Sequence, residues 1–342
     1  MKSQAIFEGK LHLIDKGRLF ASRGNGVFIS YDYGNTWERI LHIPGWENFK
    51  LSKEINLLFN RLFRRGIHHI ITIDSDIILI IANSRVYRYN MKSFELTESH
   101  LTFPGSRPLT ISKDVYGNVY LGEYYSNPRR NPVNIYRSSD GGKGWDKINE
   151  IREIRHIHGI FYDNYSNLYW VTTGDSDDES GIWMTMNVAD KFRKFIGGSQ
   201  QTRAIHLLFS QNYIYFGSDT PNQPNYIFRI NRKTKHIDRL QKVDSSVFWG
   251  CKIGNNLFFS TAIETSKINN TKEACIWWSP DGERWKCITK YHKDVWHMKL
   301  FQYGQIYFPA GINETDYLFY TPFATEHHLI VQRLRVSNLK MV

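Results

Sequence analysis

What most constrains this chain is a short turn that it uses three times: Ser30-Tyr31-Asp32-Tyr33-Gly34-Asn35-Thr36-Trp37, Ser138-Ser139-Asp140-Gly141-Gly142-Lys143-Gly144-Trp145 and Ser279-Pro280-Asp281-Gly282-Glu283-Arg284-Trp285. The third copy is one residue shorter between the Asp and the Trp. Each follows an apolar, β-rich run (Val27-Phe28-Ile29, Asn134-Ile135-Tyr136, Cys275-Ile276-Trp277) and leads into another. In that setting the Asp accepts hydrogen bonds from nearby amides, the Gly supplies a positive φ, and the Trp opens the next strand. Such strand–turn–strand frames mark a repeat architecture.

With these turns as anchors, the chain divides into units of roughly forty to forty-five residues, the length of a propeller blade. The first unit spans Leu11 to Ile43, with strands Leu11–Ile14, Arg18–Ser22, Gly26–Ser30 and Trp37–Ile43. Later units begin near Ile67, Leu109, His156, Ala204, Val247 and Val295, with worn turns at Asn90–Ser93, Met186–Asp190, Asn231–Thr234 and Thr321–Phe323. The expectation is an all-β, seven-bladed β-propeller. No linker or composition break interrupts it, so a single domain over 1–342 is expected. Between the first two units, residues 52–65 carry Ile55, Leu58, Phe59, Leu62 and Phe63 at helical spacing. Ser52 is the predicted N-cap and Gly66 lies past the C-terminal end. This insertion either packs on the propeller or, through Arg61, Arg64 and Arg65, makes peripheral membrane contact.

Of the 342 residues, 41% are hydrophobic and 15% aromatic, enough for a sizeable core. Lys and Arg number 44 against 33 Asp and Glu, a net charge of +11. That balance favours anionic partners: an acidic glycan, nucleic acid or an anionic membrane surface. The basic residues are scattered and form no nucleic-acid module. The longest apolar run, Ile77–Ala82, is too short to span a membrane as a helix and reads as a buried strand. The opening residues lack an apolar core of signal-peptide length, and Cys251, Cys275 and Cys287 are too few for a disulfide framework. A reducing cytoplasm is the expected location, with buried thiols the expected state.

The turns resemble the Asp-box (BNR) repeats of sialidase-like propellers, and the resemblance in blade pattern covers nearly the whole chain. It implies that each such turn joins the third and fourth strands of a blade and is structural. On that basis Asp32, Asp140 and Asp281 hold the turns, with Trp37, Trp145 and Trp285 packing in or between blades. The family includes many activities and several non-catalytic scaffolds, so the fold alone does not give the chemistry. True sialidases carry an Arg-Ile-Pro motif, an arginine triad and a Tyr/Glu pair. No Arg-Ile-Pro occurs here and no triad can be assembled by position.

Strands alternate direction within a blade. The start of each first strand therefore shares a face with the loop between the second and third strands, opposite the Asp-containing turns. Histidines recur at those starts: Leu11-His12, Ile67-His68-His69, Arg155-His156-Ile157-His158, Arg203-Ala204-Ile205-His206 and Val295-Trp296-His297. Residues two apart on a strand point to one face, so His156 and His158 are expected together. The matching loops supply Glu123, Tyr124, Arg129 and Arg130, then Asp175, Asp219 and Glu264.

His156, His158, Tyr124, Glu123 and Asp175 are the candidate catalytic groups. Arg129, Arg130, Arg203, Asp219, Trp249, Glu264 and Trp296 are the candidate substrate-binding groups. His158, His206 and His297 are candidate ligands for a divalent metal ion. The loop Gly174–Glu179 lacks a full calcium-loop pattern and reads as solvated. The expected function is action on an acidic poly- or oligosaccharide, by a lyase or a glycoside hydrolase. A non-catalytic propeller that binds a glycan or a protein is the alternative.

Overall fold

The computed structural model describes residues 3–44, 53–105 and 107–341. It is a seven-bladed β-propeller, built from seven antiparallel sheets of four strands, one of them with an added inner fifth. The first strands of the blades are Lys10–Asp15, Ile67–Thr72, Ile111–Lys113, Ile157–Asp163, Ala204–Phe209, Val247–Ile253 and Gln305–Tyr307. They lie innermost and line the central channel. Second strands such as Ile77–Ala82 are covered on both faces, which explains their unbroken apolar sequence.

The apolar interior forms seven clusters, and each bridges two neighbouring blades. Leu13, Phe20 and Ile29 of blade 1, for example, pack on Ile70, Ile78 and Ile80 of blade 2. Burying one such side chain contributes about 1.5–3 kcal/mol. No blade could hold its own faces out of water, so cohesion comes from sheet-on-sheet contact around the ring.

Two departures from the sequence expectation lie in the last blade. Val295-Trp296-His297 do not open it: Val295 is 94% exposed, and the segment leads into a short helix, Met298–Phe301. Thr321–Phe323 end the strand Tyr317–Phe323 and do not form a turn. The reason is the closure. This blade takes only three strands from the C-terminal region, and its outermost strand is Gln4–Glu8, with Gln4 opposite Arg333 and Glu8 opposite Ile330. The loop between Tyr307 and Tyr317 also adds Ala310–Gly311, parallel to Leu13–Ile14, on the inner edge of blade 1.

The insertion forms a helix, Lys53–Leu62; the Ser52 cap lies outside the described residues. Arg61 is turned inward, paired with Asp294 at 2.6 Å and donating to the Phe301 carbonyl. That bond fixes the helix against the entry to blade 7. No helix among the described residues is long and apolar enough to cross a membrane.

The three Asp turns join third to fourth strands. Asp140 Oδ1 accepts from Ser138 Oγ at 2.9 Å and from the Lys143 and Gly144 amides at 3.0 Å. Asp32 is held down at about 2 by the Thr36 amide and hydroxyl. The glycines serve a second purpose besides positive φ. A Cβ on Gly142 (φ +87°) would lie 2.2 Å from Leu79 of the preceding blade. The equivalent atoms on Gly34 and Gly282 would meet Ile6 at 2.5 Å and Tyr215 at 2.3 Å. Each turn is thus seated on its neighbour, and the tryptophans join the same contacts. Trp37 packs in the cluster between blades 7 and 1, Trp145 between blades 2 and 3, and Trp285 between blades 5 and 6.

Gly142→Ala should therefore cost about 2 kcal/mol or more, from backbone strain and the Leu79 clash together. Gly117 has a similar φ of +87° with nothing within 4 Å of its added Cβ. Gly117→Ala should cost only about 1 kcal/mol. Thermal melts of both variants check the pair; equal losses would show that the blade contact is immaterial.

Candidate functional site

The first strands begin irregularly. In blade 4, Ile157 pairs with Thr173 and Gly159 with Thr172, leaving His158 as the extra residue of a β-bulge. In blades 1, 2 and 6 the extra residues are His12, His68 and Phe248, and in blade 5 the shift spans Ile205 and His206. A bulge re-aims a side chain without ending the strand. Here it turns imidazoles at the funnel end of the inner strands.

Blade 4 brings the expected pair together. His156 Nε2 and His158 Nε2 are 3.1 Å apart, with Asp175 Oδ1 3.7 Å from the former. One ligand atom from each of these three residues lies within 4.8 Å of the others. The other ring nitrogens settle the tautomers. His156 Nδ1 faces the Tyr125 carbonyl at 3.2 Å and His158 Nδ1 the Ala204 carbonyl at 3.0 Å. Carbonyls only accept, so each neutral ring carries its hydrogen on Nδ1 and presents a lone pair at Nε2. The two lone pairs face each other. Protonation does not relieve this at neutral pH, because burial and the neighbouring charge hold His156 at about 3 and His158 at about 4.

Asp175 sits at φ +116°, a region costly for any residue with a side chain. It is anchored by Arg155 at 2.8 Å and Arg203 at 3.3 Å. Burial opposes its ionisation, but the surrounding cationic groups outweigh that and keep its carboxyl below the usual range. Gly174 beside it is required by packing: an added Cβ would lie 2.5 Å from His158 and 2.7 Å from Arg203. Tyr124 covers the pair, its ring centroid 4.3 Å from that of His156, and burial raises its phenol. Arg203 continues to Asp219 at 3.1 Å, where burial pushes the carboxyl up. Glu264 accepts from Ser246 at 2.8 Å, and burial together with Asp219 raises it to about 7.

The remaining candidates lie elsewhere. Glu123 is buried and used within its blade, accepting from Asn134 N, Asn134 Nδ2 and Tyr136 Oη, each at 2.9 Å. Its oxygens are engaged in holding the loop. Arg130 is paired with Glu179, and Arg129 is exposed. His206 is outside the His156–His158–Asp175 group and lies against Phe161 in the channel. His297 is an exposed residue before the short helix, because the seventh blade does not start there. His158, His206 and His297 do not converge; among the described residues His156, His158 and Asp175 do. Trp249 lines the channel, its Nε1 donating to Gln305 at 2.9 Å. Trp296 packs at a tilt against Phe301, with ring centroids 5.3 Å apart. The loop Gly174–Glu179 exposes Ser176, Asp177 and Asp178 and is anchored by Gln200, which donates to the Asp175 carbonyl at 2.7 Å. The cysteines are free thiols.

No family model matches the chain, and no curated protein matches it. Solved structures do. A prolyl endopeptidase is 11% identical with a TM-score of 0.62 over 98% of this chain and 49% of its own. YCF48 from Cyanidioschyzon merolae is 12% identical with a TM-score of 0.60, covering 99% of this chain and 100% of its own. The GH74 xyloglucanase of Xanthomonas campestris is 14% identical with a TM-score of 0.55, over 84% of this chain and 47% of its own. The chain thus spans about half the length of the peptidase and the xyloglucanase. At these identities the likeness is one of fold.

Glu264 offers a direct check on these electrostatics. Its folded pKa of about 7 lies above the ordinary 4.5, so its contribution to stability is full below that ordinary value and is lost as pH rises through 7. Glu264→Gln should gain on the wild type between pH 5 and pH 8, widening the Tm difference by a few degrees. A difference that stays flat with pH would show an ordinary, solvated carboxylate.

Proposed function

We propose that this propeller holds a divalent cation between His156, His158 and Asp175, and uses that centre to act on an acidic poly- or oligosaccharide by eliminative cleavage beside a uronic acid. The observation that carries the reading is the meeting of two imidazole lone pairs at 3.1 Å. Two neutral imidazoles and a carboxylate would suit a divalent transition ion, to which both nitrogens would offer their lone pairs. Two imidazoles and one carboxylate leave positions open for substrate oxygens.

A cation there supplies charge to neutralise the uronate carboxylate, which makes the C5 proton more acidic. The chain's own groups supply the rest. Glu264, near neutrality in its affinity for a proton, is matched to accept that C5 proton. Tyr124, protonated at neutral pH, is matched to give its proton to the leaving O4. A C4=C5 double bond forms as the C4–O4 bond breaks. Arg203 favours the ionised form of Asp175 and holds both Asp175 and Asp219 in place. The net charge of +11 supports an approaching polyanion. The likeness of the turns to sialidase-like Asp-boxes, and a fold shared with a xyloglucanase, agree with a carbohydrate ligand. A second reading, glycan binding without cleavage, draws support from Asp175 being paired with two arginines already.

Calorimetric titration of the chelator-treated protein with Mn²⁺, Co²⁺, Ni²⁺ and Zn²⁺ tests the centre. One equivalent should bind, and His156→Ala or His158→Ala should weaken it by about a hundredfold or more. A screen of uronate-containing glycans, followed by the absorbance of an unsaturated product, tests the reaction. Cation binding without product would support the binder; no cation binding would remove the centre itself.

A further inference from the structure

Apart from this centre, blades 1 to 3 place Lys10, His12, His68, His69 and Arg107 around one cavity of about 540 Å³. No Asp or Glu is among the described residues that line it. Lys10 Nζ donates to the His68 carbonyl at 3.1 Å and lies 4.2 Å from the Tyr307 ring centroid. The cations beside His68 are Arg107 and Lys10. His12 is satisfied, with Nδ1 on the His68 carbonyl and Nε2 on Ser22. His69 is bonded to the Pro108 carbonyl at 2.9 Å.

His68 differs. Arg107 Nη1 approaches its Nδ1 at 3.4 Å, and a guanidinium only donates, so Nδ1 holds the lone pair and Nε2 the hydrogen. That N–H has no acceptor, although the residue is only 5% exposed. An unmet buried donor costs about 1–3 kcal/mol, and here it stands beside two cations with no carboxylate. The same cavity offers flat apolar surfaces, Trp249 against Tyr307 at 5.3 Å and Phe161.

We propose that the channel is a second ligand site, binding a small organic acid whose carboxylate or phosphate lies among Lys10, Arg107 and His68 Nε2 and whose flat body lies along Tyr307 and Trp249. The site shares no residue with the cation centre and does not depend on it. The donors are of the kind that pair with an oxyanion. Burial and Arg107 lower Lys10 to about 7, a shift that a bound anion would offset.

Benzoate, inorganic phosphate and neutral benzyl alcohol, each up to 10 mM, are the probes, with binding read from tryptophan fluorescence and calorimetry. Benzoate or phosphate should bind, and benzyl alcohol should bind at least about tenfold more weakly than benzoate. Lys10→Met and Arg107→Gln should each reduce anion affinity about tenfold, and chelator should change nothing. Failure of both anions to bind would overturn the proposal. So would equal binding of benzyl alcohol and benzoate, unchanged affinity in both variants, or loss of binding on chelation. The comparison of benzoate with benzyl alcohol uses the unaltered protein, so it decides the matter even where a variant does not fold.

Discussion

The pairing of Gln4–Glu8 with Ile330–Arg335 is what the rest of the structure depends on. Seven interfaces in a ring protect one another only while the ring is closed; opening one uncovers two apolar faces. Joining ends more than three hundred residues apart costs on the order of 5 kcal/mol in chain entropy. A short edge pairing alone does not offset that. The side chains complete it: Ile6 and Phe7 pack with Leu11, Leu19, Phe319 and Val331, and Trp37 donates to the Ile6 carbonyl at 3.0 Å. The first Asp turn therefore rests on the strand that closes the ring, which ties the most legible motif of the sequence to its least local contact.

Closure also fixes what each face can do. The Asp turns tighten one side, and their carboxylates are used up on neighbouring amides and hydroxyls. The opposite side is left with strand starts, where a bulge adds a residue to the inner edge in five blades. In blades 1, 2 and 4 that residue is a histidine. The same irregularity that bends an inner strand toward the axis delivers an imidazole to it, so site and scaffold arise from one backbone feature.

This explains which parts were readable from the sequence. Blade register could be read because Asp32, Asp140 and Asp281 act locally, within four residues of their partners. The pairing of His156 with His158 could be read for the right place but by an incomplete reason, since a bulge and not simple alternation sets their directions. The seventh blade could not be read from its own segment, because its fourth strand comes from the other end of the chain; His297 and Trp296 were misplaced for that reason. Glu123 looked free because its partners, Asn134 and Tyr136, lie across a strand pairing. Arg155, Arg107 and Lys10 carried no motif at all. A closer reading of the recurrent His at strand starts, blade by blade, would have pointed to His12 and His68 as equivalents of His158.

Buried polar groups in native proteins are nearly always paired, so unpaired ones are informative chiefly where they cluster. Here two clusters have opposite character. At His156 and His158 there are lone pairs with no hydrogen to share. At His68 Nε2, beside Lys10 and Arg107, there is a hydrogen with no lone pair to receive it. The first shortage is met by a cation and the second by an anion, and neither is met by repacking apolar side chains. Because one cluster lies on blade 4 and the other on blades 1 to 3, each anchored by its own strand pairings, the fold holds them apart. A scaffold held rigid by closure is what allows such opposed deficits to persist side by side, and the channel between them is where a ligand carrying the missing charges would be retained.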